Sequence, residues 1–199
     1  MKGQVITALT PQQKMVSVNN RFGNTNIAQQ QGTTRVLFDS LELSGATELR
    51  FFENVSSRNY PFTNIGSEGN RLTVGDTFVV QKIYFAIGKI DGDLGTVTDL
   101  ATFGANGWDS FMKGEFSFQI ANSQVIKQLP TEIFYNSLNP TNMNREDSAF
   151  GTFTDIVIPP LLEYVLSYRV APYTAESTPL RLFCFIEGSA GIISPQTTF

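Results

Sequence analysis

Large apolar residues alternate with polar ones along most of the chain, which is the pattern of β-strands that bury one face. In the run Glu115–Ile120 every second residue is large and apolar, so Phe116, Phe118 and Ile120 share one face. The run Leu162–Val170 alternates in the same way over a greater length, and we expect it to lie centrally in a sheet. Both segments therefore predict strands with one dry side.

Similar runs predict further strands, separated by glycine, proline and other turn residues. The remaining candidates are Val36–Leu43, Glu48–Glu53, Asp76–Gly88, Gln124–Leu129, Gly151–Ile158 and Leu180–Ile193. Only Ala121, Asn122 and Ser123 separate two of the strands, which predicts an antiparallel hairpin. Pro159 and Pro160 are expected to end one strand and begin the next, since neither can donate to a ladder.

The number of strands limits the possible architectures. About eight antiparallel strands in one domain close as two packed sheets or as a barrel, because a single open sheet leaves one face of each strand wet. The chain has 17 phenylalanines and one tryptophan, which suit a core wedged between two sheets. We predict an all-β domain over residues 35–199, a single jelly-roll β-sandwich or barrel.

Residues 1–34 lack the alternation, are rich in Asn and Gln, and contain few large apolar side chains. They cannot bury enough surface to fold alone, so we predict an extended N-terminal arm. The basic residues up to this boundary are Lys2, Lys14, Arg21 and Arg35. The arm is expected to dock on neighbouring subunits or to face nucleic acid, the alternative being a frayed terminus.

The charge of the chain argues against strong nucleic-acid binding. The part that follows the arm is acidic, so phosphate contacts there would be repulsive. The four basic residues of the arm are too sparse for a firm grip, although many copies in a shell would add avidity. We predict weak or no direct nucleic-acid contact, made through the arm if at all.

Residue types also limit the chemistry. The chain has no histidine, which removes Ser-His-Asp and Cys-His catalysis and most zinc and iron sites. Cys184 is the single cysteine, so no internal disulfide forms, and its phase with Leu182 and Ile186 predicts a buried small residue. We assign no catalytic, cofactor-binding or metal-binding residue and predict that the protein is not an enzyme.

Three segments resemble known motifs but depart from them. Gly88 and Lys89 are followed by Ile90, where a phosphate-binding loop needs Ser or Thr. Glu187–Gly191 resembles a nucleophile elbow, yet no histidine can activate Ser189, so we expect a turn or bulge that closes the last strand.

The third is the glycine- and aspartate-rich segment Asp91–Ser110, which we predict to be a long loop that carries contacts. Asp91 and Asp93 are spaced as in calcium loops, but Thr96 and Thr102 stand where such a loop needs Gly and Glu. Calcium binding, receptor binding and a solvated loop tip all stay open. The sequence shows no secretory signal pattern and no run of about 18 apolar residues, so we expect a soluble protein.

The order of features resembles the single jelly-roll major capsid proteins of tailless icosahedral bacteriophages. The resemblance rests on Leu72–Phe78 before a long aromatic strand, on Glu115–Pro130 with its hairpin, on Ile156–Leu161 before another strand, and on Phe185–Gly188 near the end. It covers roughly Arg35–Ile193.

The resemblance implies a structural coat protein that self-assembles into an icosahedral shell, made in the host cytoplasm and located in the virion. Its partners would be copies of itself and other virion proteins, with loops between capsomer neighbours and the arm inward or beneath adjacent subunits. The arm carries few positive charges, which argues against direct packaging of the genome by this chain. Such an arm would suit a shell with an internal membrane or a separate packaging protein. The alternative is a virion spike or receptor-binding β-sandwich domain. A cupin-type enzyme is disfavoured because cupins hold metals with histidines.

Overall fold

The computed structural model describes residues 9–21, 30–53, 60–65, 69–91, 96–99, 111, 113–134, 149–173 and 180–193. Its elements are helix α1 (Pro11–Arg21) and strands β1 (Gln30–Glu42), β2 (Glu48–Phe51), β3 (Thr77–Asp91), β4 (Thr96–Asp99), β5 (Glu115–Ile120), β6 (Ser123–Pro130), β7 (Phe150–Ile158), β8 (Tyr164–Arg169) and β9 (Leu180–Ile193), with a 3₁₀ helix at Thr131–Phe134. The named strands pair antiparallel throughout, which confirms the predicted all-β class.

Each strand predicted from the alternation of side chains is present. The bounds of β5 and β9 are those predicted, whereas β3 extends to Asp91 and the strand expected over Leu162–Val170 is limited to Tyr164–Arg169. β4 was not predicted, because Thr96–Asp99 lies within the segment interpreted as a loop. It forms by pairing with the end of β3, where Ile90 lies opposite Val97. Asp91 is the last residue of β3, and the remaining residues of that segment, including Asp93, are outside the described residues.

The strands form two sheets. The first has the order β1-β9-β3-β4, and β7 also pairs with β3. The second has the order β2-β8-β5-β6, so β8 lies centrally as predicted. The β5–β6 hairpin is confirmed, with a turn one residue shorter than expected because Ser123 already pairs with Ile120. β7 ends at Ile158, immediately before Pro159 and Pro160, as predicted.

The core lies between the two sheets. Alternate residues of β5 and β9 are buried there, including Phe116 and Phe118 from one strand and Leu182, Cys184 and Ile186 from the other. This burial confirms the prediction that Cys184 is a small core residue. Burial raises the pKa of its thiol well above the ordinary value, and the negative charge of a nearby carboxylate raises it further.

Phe85 of β3 connects the two sheets at the centre of this core. Its ring centroid lies 4.7 Å from that of Phe134 and 4.9 Å from that of Tyr168. It also lies 5.8 Å from the rings of both Phe51 and Phe116, which belong to the second sheet. These tilted and edge-to-face arrangements are the favoured geometries of aromatic pairs, so Phe85 links both layers.

Three buried polar side chains beside the core form internal hydrogen bonds. The hydroxyl of Tyr168 donates to the carbonyl oxygen of Phe111 at 3.0 Å, and the hydroxyl of Thr131 donates to the same oxygen at 2.6 Å. Asp39 faces the core from β1 and accepts a 2.6 Å hydrogen bond from the backbone N–H of Phe52. Phe52 has a left-handed backbone, with φ of 67°, so this carboxylate helps to hold an unfavourable turn.

The segment predicted as an extended arm contains regular structure. Helix α1 occupies Pro11–Arg21, and β1 begins at Gln30 rather than near Arg35. Residues 30–34 pair with the end of β9, from Ser189 to Ile193. The backbone N–H and C=O groups of the long β9 strand need hydrogen-bond partners along its whole length. Residues 30–34 pair with it through their own backbone, which the alternation of side chains does not reveal. The role of residues 1–34 as an arm stays a prediction.

Candidate assembly surface

Helix α1 starts with a capping box. The hydroxyl of Thr10 accepts a hydrogen bond from the backbone N–H of Gln13 at 3.3 Å, and the side-chain oxygen of Gln13 accepts one from the backbone N–H of Thr10 at 2.9 Å. Pro11 occupies the first helical position, where its missing N–H costs nothing. This Thr-Pro-Gln-Gln signal is readable in the sequence, and it could have identified the helix that the amide-rich composition concealed.

The helix packs on the outer side of the first sheet. The ammonium group of Lys14 lies 2.9 Å from the carboxylate of Asp155 in β7. Met15 is buried, and Val79 of β3 is fully buried although both residues lie outside the main core cluster. Since the inward-facing neighbours of Val79 are Phe78 and Val80, Val79 points outward beneath the helix. Helix α1 therefore covers part of the outer face.

Next to the helix, β7 carries a wide bulge. Val80 of β3 pairs with Ile156 of β7, but Lys82 pairs with Gly151, so residues 152–155 face only Gln81. The bulge is fixed at both ends. The hydroxyl of Thr152 donates to the carbonyl oxygen of Val80 at 2.9 Å, and Asp155 forms the ion pair with Lys14. Bulges of this kind redirect side chains.

Phe153 lies in the middle of this bulge and is 99% exposed. Large apolar side chains elsewhere on the described surface keep more of their area covered, Val125 of β6 being 42% exposed. Because both flanks of Phe153 are bonded to the body of the protein, its exposure is a fixed feature of the surface rather than fraying. Phe153 was not identified from the sequence, where Gly-Thr-Phe-Thr-Asp reads as an ordinary alternating strand.

A hollow of about 610 Å³ adjoins the bulge. It lies between helix α1 and the sheet, and most of its lining residues are polar, with Met15 and Ala190 as apolar ones. Gln81, which faces the bulge, also lines the hollow, and its amide nitrogen lies 3.3 Å from the hydroxyl of Ser189. The exposed ring and the hollow are therefore neighbouring features on one side of the molecule.

The outer face of the first sheet also carries an aromatic patch. Phe185 of β9 lies between Phe38 of β1, at 5.7 Å between ring centroids, and Tyr84 of β3, at 4.9 Å. These three residues are half-buried.

The free edge of β1 is covered by Asn64. Its side chain accepts a 2.8 Å hydrogen bond from the N–H of Phe38 and donates one to the carbonyl oxygen of Val36 at 2.6 Å. The segment 60–65 thus closes an edge that would otherwise invite pairing.

The second sheet has a polar hollow of about 320 Å³ on its outer side. Its charges are paired within the chain: Arg50 lies 2.9 Å from Glu53, and Arg71 forms an ion pair with Glu163. Exposed pairs of this kind contribute little to stability. This hollow therefore offers a ligand polar groups and paired charges rather than free charges of one sign.

The basic residues assigned to the arm are found in separate places. Lys14 is paired with Asp155, and Arg35 lies 3.4 Å from the carboxylate of Asp76. Arg21 is exposed at the C-terminal end of α1, where a positive charge complements the helix dipole. Lys2 is outside the described residues. Of the three that the structure describes, two are thus held by carboxylates of different segments, and Lys14 and Arg35 do not form a basic patch of unpaired side chains.

The segments that resemble catalytic motifs lie in regular strands. Gly88 belongs to β3, and Ser189 lies inside β9, paired with Thr34 on one side and Val79 on the other. No turn closes β9 at Glu187–Gly191, since the strand continues to Ile193. The β3–β9 ladder does contain a bulge at this place, and its extra residue is Gln81 of β3, opposite Glu187 and Gly188. A Cβ at Gly188 would come within 1.9 Å of the carbonyl oxygen of Val79, so glycine is required there for close strand packing.

Within the described part of the chain, no group of three or more His, Cys, Asp and Glu side chains is arranged to hold a metal ion. In that same part, no helix has both the length and the apolar character needed to cross a membrane. Comparison with protein-family models, curated proteins and solved structures found no match for this chain.

Proposed function

We propose that this chain is a structural coat subunit with the jelly-roll fold, which assembles with copies of itself into a closed viral shell. The observation that carries the proposal is the nesting of the strand pairs. β1 pairs with β9, β2 with β8, β3 with β7, and β5 with β6. The first strand meets the last and each later pair lies inside the one before, as in a long hairpin rolled into two sheets. This connectivity favours the jelly roll, a fold that capsid proteins share with lectins and cupins.

The side chains favour the coat within that group, since fold alone does not decide function. The sequence has no histidine, the residue with which cupins hold their metal, and only 16% of its residues are charged. A surface rich in amides and hydroxyls can be buried against neighbours without the desolvation cost of charges. Helix α1 and the bulge of β7 make the outer surface of the first sheet uneven, which gives neighbouring subunits features to contact.

The ion pairs bear on the contents of the proposed shell. Lys14 and Arg35 are engaged by Asp155 and Asp76, which leaves fewer free positive charges for phosphate groups. We therefore expect the subunit to bind double-stranded DNA weakly at physiological salt. In the proposed shell, a lipid layer or a separate basic protein would contact the genome in place of this chain.

The test is the assembly state of the purified full-length chain. Light scattering over a range of protein concentrations should show growth far beyond the mass of a few subunits, and electron microscopy should then show closed shells or ring-shaped capsomers. A chain that stays monomeric at high concentration across salt conditions would overturn the proposal. Discrete trimers that never associate further would favour a receptor-binding domain instead, and glycan binding would then be measured.

A further inference from the structure

We propose that Phe153 is the anchor of a contact between two copies of this chain, and that its ring inserts into the hollow between helix α1 and the first sheet of the neighbouring copy. This inference rests on the proposed self-assembly and identifies the surface that performs it. Its basis is an exposed, fixed aromatic ring and an open recess on the same polypeptide.

The bulge presents the ring at an energetic cost that the fold has to offset. Residues 152–155 interrupt the β3–β7 ladder opposite Gln81, so backbone groups in the bulge lose sheet partners. The Thr152 hydroxyl and the Lys14–Asp155 ion pair hold the interrupted segment in place. A fully exposed Phe also keeps its apolar surface in water, which a regular strand facing the core would avoid. A ring held outward in this way is pre-organised for contact, because little conformational entropy is lost when it becomes buried.

The hollow is large enough for an aromatic ring and offers it both apolar and polar contacts. Its volume of about 610 Å³ leaves ample room for one side chain. Met15 lines it, and a thioether makes favourable contacts with the edges of aromatic rings. Gln12 and Gln81 at the lining can keep hydrogen-bonding to water or to the backbone of the entering bulge. A buried aromatic anchor with a polar rim is the usual anatomy of an interface hot spot.

The position of the two features also fits a second copy as the occupant. Gln81 faces the bulge and lines the hollow, so anchor and recess lie side by side. Two copies related by a two-fold axis can therefore place each Phe153 in the hollow of the other, with the same surface used twice. Helix α1 would then lie at the interface, which gives the Lys14–Asp155 pair a role in shaping both the anchor and the recess.

The experiment compares full-length variants that remove the anchor or fill the recess. Phe153→Ser removes the ring. Gly32→Trp fills the hollow from its lining, and it should be accommodated because a Cβ at Gly32 meets no atom within 4 Å. Val125→Ser is the matched control, since Val125 is an exposed apolar residue on β6, in the other sheet. Circular dichroism verifies that each variant is folded, and light scattering measures the concentration at which it assembles.

We expect the Phe153→Ser and Gly32→Trp variants each to raise the assembly concentration by about tenfold or more, the effect of losing one interface hot spot. The double variant should lose no more than either single one, because both changes remove the same contact. Val125→Ser should assemble like the wild type.

The other outcomes overturn the inference in distinguishable ways. If wild-type protein assembles and Phe153→Ser assembles equally well, the anchor is wrong while the coat proposal stands. If Phe153→Ser impairs assembly but Gly32→Trp does not, the ring binds elsewhere and the hollow is wrong. If the wild-type chain does not associate at all, the proposed function fails, and this contact fails with it.

Discussion

Replacing Phe85 with Ala should destabilise this protein more than any comparable truncation on the outer face of the same sheet. Removing a buried Phe ring costs about 3–5 kcal/mol through lost burial and the cavity that remains. Phe85 also contacts the rings of Phe51, Phe116, Phe134 and Tyr168, and each aromatic pair contributes roughly 0.5–1.5 kcal/mol beyond its area. Since these contributions are not additive, we expect a loss at the upper end, about 5 kcal/mol in the free energy of unfolding.

The matched control is Phe183→Ala. Phe183 is also buried, but it lies on the outer face, where its ring centroid is 6.3 Å from that of Phe185. We expect its truncation to cost about half as much. Phe85→Leu, which keeps most of the apolar volume, should cost only about 1–2 kcal/mol.

The measurement is urea denaturation followed by circular dichroism, at protein concentrations below those of assembly, because association would add stability by mass action. Equal losses for Phe85→Ala and Phe183→Ala would refute the placement of the main core between the two sheets. A loss below about 2 kcal/mol for Phe85→Ala would show that the surrounding rings collapse into the space, contrary to a rigid aromatic core.

Three further predictions follow from burial and close packing. Gly188→Ala should destabilise the protein by about 1–3 kcal/mol in the same urea assay, because its Cβ would come within 1.9 Å of the Val79 carbonyl oxygen, whereas Gly32→Ala should change stability by less than about 0.5 kcal/mol. Burial raises the pKa of Tyr164 and Tyr168 above the ordinary value, so above pH 10 these side chains ionise first in the unfolded chain. The free energy of unfolding should therefore fall by about 1.4 kcal/mol per pH unit for each tyrosine. Tyr164→Phe should reduce that slope. The single thiol, fully buried in β9, should react with a disulfide reagent only as fast as the protein opens, and rapid reaction in native buffer would contradict its burial.

Much of the fold could be predicted from the sequence because the core is built on a period of two residues. Phe116, Phe118 and Ile120 alternate with polar neighbours, and each is buried in the structure as the alternation requires. β9 was predicted with correct bounds for the same reason, although it is 14 residues long. Residues that gain their structure from backbone pairing, such as Gly32–Thr34 in β1, gave no such signal, since their side chains contribute little to the core.

The candidate assembly surface was much less accessible to prediction. The capping box at Thr10 was readable and would have placed α1, but nothing local indicated where the helix would dock. The exposure of Phe153 depends on a bulge in the β3–β7 ladder, and the hollow depends on where α1 packs on the first sheet. Both are relations between segments that are distant in the chain.

By itself, then, the sequence determined that the chain forms antiparallel strands around an aromatic core, that its cysteine is buried and that histidine chemistry is absent. Those properties follow from side-chain types and their spacing, which act locally or through burial. Only the tertiary structure decided which strands pair, that the pairs are nested from β1 and β9 inward, and which side chains the surface presents. Pairing depends on backbone groups that every residue carries, so many strand orders satisfy the same pattern of apolar residues, and the packing of the whole chain selects one of them.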